Sequence, residues 1–388
     1  MVPSNGTAGG DAGRYDNREP ETALAPRFAR VRVTWRRQTI HSRHPFRVAR
    51  SGASLEGDET QRVIVRIEHD GIVGFGEAAP STYYGQSCAS VEAALTTAAP
   101  LLGDDPFQVA PTVARLLECC GDQTAAVAAI DAALHDWIGK KLGLAVWQFL
   151  ELDPRATPPT SYTIALTEPE RLPSRVAEAE GFASLKLKVG TDHDEQTLRV
   201  VREHAPGVGL RVDANGAWSP GEALHRIEAL SRFDLELVEQ PIAAGQYEAL
   251  AAIRRHSPVP IIADEDCACS ADVDRLAGAV DGVNVKLAKC GGICEALATI
   301  QAARRLGLKV MLGCMIETSL GISAAAQLAS LADYVDLDAH LLLSDDPFTG
   351  LRLDNGVVTP GDTPGLGIVK REASGGPAGE CTTCPSPQ

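Results

Sequence analysis

The chain has 388 residues, of which 44% are hydrophobic and 22% charged, a composition typical of a folded protein with room for more than one domain. Its formal net charge of −15 and its lack of a Lys/Arg cluster argue against a nucleic-acid partner, because phosphate binding needs such clusters. No run of about 18 apolar residues occurs, so we expect no contact with a membrane. Residues 1–26 are polar and rich in Gly and Pro, and we interpret them as the flexible tail of a cytoplasmic protein.

The first part of the chain has the pattern of a small α+β domain. Three strands are predicted between Phe28 and Glu77, in the segments RVRVTWRR, RVIVRIEHD and DGIVGFGEA, and they should form an antiparallel meander. Two helices follow in SVEAALTTAAPLL and DQTAAVAAIDAALHDWIGKKLG; Gln123 and Thr124 can cap the start of the second, and Gly143 can end it. We predict a capping domain over residues 27–150.

From residue 151 to residue 340 short apolar strands alternate with amphipathic helices. The eight strands are predicted in SYTIAL, SLKLKVG, LRVDAN, LELVEQP, PIIADE, GVNVKLA, KVMLGCM and YVDLDAH. This count favours an α/β fold of the (β/α)8 TIM-barrel type; a doubly wound open sheet is the alternative, but IALTEPE is not the glycine-rich turn that such a sheet needs after its first strand. Residues 341–370 should return to complete the capping domain, and residues 371–388 should be a disordered tail.

Charged residues stand at the carboxyl ends of the predicted barrel strands, where barrels of this type carry their active sites. In chain order they are Lys186, Lys188, Asp213, Glu239, Asp264, Lys286, Glu317, Asp336 and Asp338. Asp213, Glu239 and Asp264 are each one strand-helix repeat apart, so three neighbouring strands present a carboxylate at one height. Three oxygen ligands without sulfur or nitrogen favour Mg²⁺; the alternative is that each acid caps the helix after its strand.

The lysines flank this trio. Lys186 and Lys188 share a face of the second strand, and Lys286 stands on the sixth, so Lys188 and Lys286 can approach a bound molecule from opposite sides. A lysine inside an apolar strand must be paired or used, which makes these two candidates for acid/base chemistry.

The last strand holds two aspartates, Asp336 and Asp338, two positions apart. On a strand they would point to one face and repel each other unless a cation lies between them. That cation can be a metal, a lysine of the chain or a substrate, and the two positions by themselves leave all three open.

Together the motifs SLKLKVG, VDANGAW, VEQP, ADE and VKLAKCGG resemble those of the enolase superfamily, in its muconate-lactonizing-enzyme subgroup. The resemblance covers the chain from about Arg27 to about Val369. It implies that one Mg²⁺, bound by Asp213, Glu239 and Asp264, holds an enediolate formed by loss of a proton next to a carboxylate. Lys188 and Lys286 would be the acid/base pair, and Lys186 would stabilise the enolate; Lys289 is the competing lysine, in the turn after the strand.

The Asp-x-Asp pair is similar to the motif with which dipeptide epimerases of this subgroup hold the substrate's ammonium. The resemblance therefore implies epimerisation of a dipeptide at the α-carbon of its C-terminal residue, with N-acyl-amino-acid racemisation or cycloisomerisation as alternatives. Specificity would lie in the segments 48–57 and 80–86, and we name the candidate substrate contacts Arg50, Tyr83, Tyr84, Thr163 and Glu317. We also expect a homo-oligomer.

Two rivals come from other classes of protein. A barrel that forms a Schiff base through a strand lysine would not need three acids in register. A peptide-binding protein without activity could keep Asp336 and Asp338 but would not need two opposed lysines. The pairs Cys267/Cys269 and Cys381/Cys384 lack further ligands at zinc spacing, so we interpret these cysteines as reduced residues without metal.

Overall fold

The computed structural model describes residues 30–49 and 59–371. The first domain is built on an antiparallel sheet of β1 (Arg32–His41), β2 (Glu59–His69) and β3 (Ile72–Ala78), in the order β1-β2-β3. This confirms the predicted meander. The predicted tail over residues 1–26 and the segment 50–57 lie outside the described residues, as do all but the first residue of the tail predicted over 371–388.

Helices cover one face of this sheet. They are α1 (Cys88–Ala98), α2 (Val109–Cys120), α3 (Thr124–Leu142) and α4 (Val146–Phe149). Helix α2 was not predicted from the sequence, although its buried residues Val109, Thr112, Val113 and Leu116 recur at helical spacing. Gly143 ends α3 in the left-handed conformation, as predicted, at φ 71°. The side chain of Gln123 makes no cap, contrary to expectation, since its Oε1 accepts a hydrogen bond from Ser90 Oγ.

Helix α3 is the centre of the capping domain, because fifteen of its residues are buried. It lies so close to β3 that a Cβ added at Gly76 would come within 2.0 Å of the carbonyl oxygen of Ala129. Glycine at that position is therefore what allows the helix to rest on the strand.

The second domain is a parallel sheet that closes on itself. Its strands are β4 (Ser161–Ile164), β5 (Ser184–Lys188), β6 (Gly209–Asp213), β7 (Leu235–Glu239), β8 (Ile261–Ala263), β9 (Gly282–Val285), β10 (Lys309–Gly313) and β11 (Tyr334–Asp336). They pair in chain order, and a parallel bridge between Thr160 and Val335 joins the last strand to the first. All eight predicted strands are present, and the closure excludes the doubly wound alternative.

Helices surround the barrel and supply its hydrophobic outer layer. They are α5 (Leu172–Glu178), α6 (Asp194–His204), α7 (Pro220–Ser231), α8 (Tyr247–His256), α9 (Val273–Leu276), α10 (Leu287–Cys290), α11 (Ile293–Arg305) and α12 (Ser319–Ala326). None of the helices in the described residues is long and apolar enough to cross a membrane.

The chain then returns to the capping domain through four short strands, β12 (Phe348–Thr349), β13 (Arg352–Asp354), β14 (Val357–Thr359) and β15 (Val369–Lys370). The contact is specific: Leu366 N donates to Asp136 Oδ1 on α3 at 2.8 Å, and Val146 N donates to the carbonyl oxygen of Gly365 at 2.9 Å. The return segment thus holds the two domains together. Domain limits at residues 150 and 340 stay a prediction.

Candidate active site

A cavity of about 520 Å³ lies at the carboxyl ends of the barrel strands, beneath the capping domain. The barrel contributes charged residues to its wall, and the capping domain contributes aromatic and polar ones. Those that bear on the chemistry are Phe46, Arg62, Tyr83, Tyr84, Thr163, Lys186, Lys188, Asp264, Lys286, Asp336 and Asp338. Side chains far apart in sequence meet here because parallel strands all end at one face of a barrel.

Lys188 and Lys286 lie on opposite sides of the cavity. Lys188 ends β5 and Lys286 follows β9, and these strands are four apart in a closed ring of eight. Both side chains are buried, and each pairs with a carboxylate: Lys188 Nζ lies 2.6 Å from Asp213 Oδ2, and Lys286 Nζ lies 2.7 Å from Asp264 Oδ2. A molecule bound between them would have one amine on each face.

Asp213 and Glu239 end β6 and β7, and Asp264 directly follows β8, so the trio stands at the ends of three neighbouring strands as predicted. Asp213 is in register with Glu239, and Glu239 is opposite Ile262, two residues before Asp264, so all three point to one side. None of them caps the helix that follows its strand, because α7, α8 and α9 have other residues at their N-caps, Ser219, Gln246 and Asp272. The helix-cap alternative is therefore wrong.

The three carboxylates are held apart by lysines. Lys186 Nζ lies 2.7 Å from Glu239 Oε2 and 3.3 Å from Asp213 Oδ2, while Asp264 pairs with Lys286 and Lys289. Among the described residues, the group that does bring three possible ligand atoms within 4.8 Å of one another is a different one, which does not line this cavity. The three carboxylates are thus not gathered within 4.8 Å of one another, and each of them has an ammonium group as its ion-pair partner.

The donor set nevertheless fits a hard divalent cation. It consists of carboxylate oxygens alone, which Mg²⁺ prefers. Glu239 Oε2 is buried and receives no hydrogen bond, since its contact with Lys186 is an ion pair without hydrogen-bond geometry. Glu239 Oε1 accepts from Asn284 Nδ2 at 2.8 Å, which fixes the carboxylate with its second oxygen directed to the trio.

The three carboxyl groups differ in the direction in which their surroundings shift the pKa. Burial opposes ionisation of all three acids, but Lys188 and Lys186 outweigh it at Asp213 and lower the pKa of that carboxyl to about 2. Lys286 and Lys289 likewise hold the pKa of Asp264 well below its ordinary value. At Glu239 burial and the charge of Asp213 win, so its pKa is raised. Glu239 is the member of the trio that most lacks positive charge.

Lys186 lines the cavity although only 2% of it is exposed. Burial by itself would lower the pKa of Lys186, but the charges of Asp336, Glu239 and Asp213 raise it well above the ordinary value. These carboxylates therefore favour the charged form of the side chain.

The structure separates the two lysines that compete on the sixth barrel strand. Lys289 is fully enclosed, where its Nζ donates to Asp264 Oδ1 and to the carbonyl oxygens of Asp264, Cys267 and Asn284. Lys286 lines the cavity instead. Lys289 has a structural role, and Lys286 is the one that can meet a substrate.

Asp336 and Asp338 line the same cavity, but they are not equivalent. Strand β11 ends at Asp336, whose Oδ2 lies 2.7 Å from Lys186 Nζ and whose Oδ1 accepts from Ser161 Oγ at 2.6 Å. This is the lysine-paired alternative, and it holds for Asp336. Asp338 begins a 3-10 turn and accepts from Thr163 N at 2.5 Å. Burial and the charge of Asp336 raise the pKa of the Asp338 carboxyl to about 7.

Some of the remaining predicted substrate contacts line the cavity, and others do not. Tyr83 and Tyr84 line the cavity as an edge-to-face pair with ring centroids 4.9 Å apart, and Thr163 lines it beside Asp338. Glu317 is not among the lining residues; it is buried behind the wall, where burial and the nearby Glu77 raise its pKa to about 7. The structure therefore does not support Glu317 as a substrate contact. Arg50 lies outside the described residues.

Two residues of the site were missed in the sequence. Asn284 stands inside the apolar run GVNVKLA, two positions before Lys286, and this polar interruption was a usable signal for the residue that orients Glu239. Arg62 opens the run RVIVRI and is buried in the cavity wall, where its Nε donates to the carbonyl oxygen of Ile316 at 2.5 Å. No local signal marked it, because an arginine at the start of a strand is ordinarily exposed.

Fold and site together define a barrel enzyme with opposed lysines in a capped cavity. Residues 30–151 match the model of the mandelate racemase / muconate lactonizing enzyme N-terminal domain, and residues 170–374 match that of the enolase C-terminal domain-like family. The chain belongs to this mandelate racemase/muconate lactonizing enzyme family of the enolase superfamily.

Curated relatives and solved structures give the same result. The chain is 36% identical over 343 residues to an L-Ala-D/L-Glu epimerase of Bacteroides thetaiotaomicron, covering 88% of each chain. It is 36% identical over 356 residues to a hydrophobic dipeptide epimerase of Roseobacter litoralis, covering 88% of this chain and all of the relative. The fold is similar to that of a dipeptide epimerase from Cytophaga hutchinsonii complexed with Mg and D-Ala-L-Val, with a TM-score of 0.82 and 29% identity over 88% of this chain and 96% of that one.

Proposed function

We propose that the protein is a Mg²⁺-dependent dipeptide epimerase, an isomerase that inverts the α-carbon of the C-terminal residue by removing a proton from one face and returning one to the other. The observation that carries this proposal is the placement of Lys188 and Lys286 on strands four apart in the closed barrel, both in one cavity with a carboxylate trio. Relatives that are named dipeptide epimerases support the same conclusion.

Asp213, Glu239 and Asp264 would hold the Mg²⁺, which, when bound, would compete with the lysines for these carboxylates and stabilise the negative charge that develops on the substrate carboxylate. Lys186 adds a fixed positive charge beside Glu239 and Asp213. Such preorganised charge is what makes a weakly acidic α-proton removable.

Lys188 and Lys286 transfer the proton. Because they flank the cavity, one lysine removes the α-proton from an L-residue, and the other lysine delivers a proton to the opposite face. The two lysines exchange these roles when the substrate has a D-residue. A lysine accepts a proton only in its neutral form, so the lysine that acts as base must first be freed from its ion pair with Asp213 or Asp264.

Asp338 orients the substrate through its N-terminal ammonium. Asp336 is paired with Lys186, whereas no ion pair joins Asp338 to any side chain in the described residues. An ammonium beside Asp338 would make a charge-assisted hydrogen bond in a buried place and would oppose the repulsion from Asp336. Acyl-amino acids carry no such ammonium, which favours the dipeptide over the N-acyl-amino-acid alternative.

Incubation of the protein in heavy water with Mg²⁺ and a set of L,L-dipeptides tests the proposal. Deuterium should enter only at the α-carbon of the C-terminal residue, together with the appearance of the L,D-epimer, and chelation of the metal should stop both. N-acetyl-amino acids serve as the matched substrates of the alternative. Exchange with them but with no dipeptide would contradict the proposal.

We also retain a cytoplasmic location and a homo-oligomer as parts of the proposal. The location is supported by the eight cysteines of the described residues, all of which are free thiols. Light scattering of the purified protein measures the oligomeric state.

A further inference from the structure

A second cluster of possible metal ligands lies outside the cavity, between the two domains. It consists of Asp131 and His135, one turn apart on α3 of the capping domain, and Cys294 in the first turn of α11 on the barrel. One ligand atom of each residue lies within 4.8 Å of the other two, and no other such group occurs in the described part of the chain. None of the three lines the active-site cavity.

One oxygen of Asp131 explains why the carboxylate is there. Asp131 is fully buried, and its Oδ2 accepts from Ile293 N at 2.5 Å, so it binds the N-terminus of α11 from the other domain. Glycine at position 292 permits this close approach, since a Cβ there would come within 2.5 Å of Oδ2.

The other oxygen has no such explanation. Asp131 Oδ1 is buried and meets no donor with good hydrogen-bond geometry; it lies 3.5 Å from His135 Nδ1, and the Cys294 thiol faces the same carboxylate. A buried carboxylate oxygen without a hydrogen bond is unfavourable unless something positive satisfies it. The His135 ring is held in place by stacking on Phe149, with centroids 6.1 Å apart and planes 10° apart.

The three donors are chemically different from the oxygen trio of the active site. An imidazole nitrogen, a thiolate and a carboxylate oxygen form a set that suits Zn²⁺ and similar transition metals, with a fourth position left for water, and is unsuited to Mg²⁺. One aspartate and one thiolate also balance the charge of a divalent cation, so the complex could be buried without net charge.

We propose that Asp131, His135 and Cys294 form a second metal site, for Zn²⁺ or a similar transition-metal ion, that links the capping domain to the barrel. Binding would release the thiol proton of Cys294. It would also replace the bond that His135 Nδ1 makes to the carbonyl oxygen of Asp131 at 2.9 Å. The metal would join α3 to α11 and stabilise the packing of the two domains.

Cobalt titration tests this site, because Co²⁺ bound to a thiolate gives a charge-transfer absorption in the near ultraviolet. The titration uses the full-length chain with the background substitutions Cys381→Ser and Cys384→Ser, which remove the Cys-x-x-Cys of the C-terminal tail. Excess Mg²⁺ is added so that sites made of oxygen ligands are already occupied. We expect the absorption to saturate at one equivalent of Co²⁺. It should be absent in Cys294→Ser and at least tenfold weaker in affinity in His135→Gln.

Cys314→Ser is the matched control, since Cys314 is a thiol of the active-site cavity. This variant should keep the whole signal. Zn²⁺ should also raise the melting temperature of the protein that keeps all three ligands. It should leave the melting temperature of the Cys294→Ser variant unchanged. The proposal is overturned if no thiolate absorption appears while all three ligands are present, a result that does not depend on whether any variant folds, or if the absorption survives in Cys294→Ser.

Discussion

The ionisation of Asp338 should control how tightly the substrate ammonium binds. Its carboxyl is buried beside the charge of Asp336, which raises its pKa to about 7. The proton therefore leaves as the pH rises through neutrality, and only the ionised form can hold an ammonium. Peptide α-amino groups lose their charge above a pH of about 8. Binding should thus be strongest between these two values.

We predict that KM for a dipeptide substrate falls as the pH rises from about 6 to 7.5, in step with the ionisation of Asp338 at a pKa of about 7. Asp338→Asn should raise KM by about 10- to 100-fold, the equivalent of one charge-assisted hydrogen bond, and remove this dependence. Initial rates across the pH range measure both effects.

Glu317→Gln is the control, because the pKa of Glu317 is also raised to about 7 although the residue does not line the cavity. The acid limb should persist in this variant. If Glu317→Gln rather than Asp338→Asn abolished the limb, the assignment of the ammonium site to Asp338 would be wrong.

The two opposed lysines make a second prediction at the residue scale. Lys188→Ala and Lys286→Ala should each lower epimerisation by about 10²- to 10⁴-fold, because each variant lacks the amine on one face. Each should still exchange the α-proton of one epimer with solvent deuterium, and the two variants should differ in which epimer exchanges. Mass spectrometry of both epimers in heavy water measures this. Loss of exchange from the same epimer in both variants would contradict the placement of one lysine on each face.

At the scale of elements, the contact between α3 and β3 determines the stability of the capping domain. Gly76→Ala would place a methyl group 2.0 Å from the carbonyl oxygen of Ala129, so strand and helix must separate. We expect a loss of about 1–3 kcal/mol in the free energy of unfolding, the usual penalty for overpacking. Urea denaturation followed by circular dichroism measures it.

Gly221→Ala is the matched control on α7, because a Cβ there meets no atom within 4 Å. It should leave stability unchanged or raise it slightly, since alanine favours helix. Equal destabilisation by the two substitutions would show that the close approach at Gly76 is not the cause.

At the scale of the whole molecule, Asp136 joins three parts of the chain. Its carboxylate oxygens accept from Leu366 N of the return segment, from Phe75 N of β3 and from Lys140 Nζ, at 2.8, 2.8 and 2.6 Å. Asp136→Ala should lower the free energy of unfolding by about 1–3 kcal/mol for each buried donor that loses its partner. Thermal unfolding should show the loss, and limited proteolysis should cleave the return segment sooner.

Asp192→Ala provides the comparison, as the side chain of Asp192 is 95% exposed. Its effect should be within about 0.5 kcal/mol of zero, as for most surface substitutions. A return segment that stays equally protected in Asp136→Ala would show that this carboxylate is not what holds it.

The sequence by itself determined the elements and the chemistry of the barrel. Alternating apolar runs predicted β1–β3, and the strand-helix repeat predicted β4–β11, because burial of one face and the connection between parallel strands are local in the chain. The regular position of Asp213, Glu239 and Asp264 at strand ends followed from the same repeat. Helix α2 was missed although its buried positions, 109, 112, 113 and 116, have helical spacing and Pro111 stands in the first turn, where proline is tolerated.

Only the tertiary structure decided which charges meet. Lys186 pairs with Asp336 from six strands further along the barrel, Lys289 is enclosed while Lys286 lines the cavity, and Glu317 is not among the lining residues. Arg62 and Asn284 belong to the site because they bond to residues that are distant in sequence, Ile316 and Glu239. The cluster of Asp131, His135 and Cys294 likewise forms only where two domains pack. Spacing along one strand determines the face to which a side chain points, but pairing of buried charges depends on distances between strands and domains, and those distances are set by closure of the barrel and docking of the capping domain.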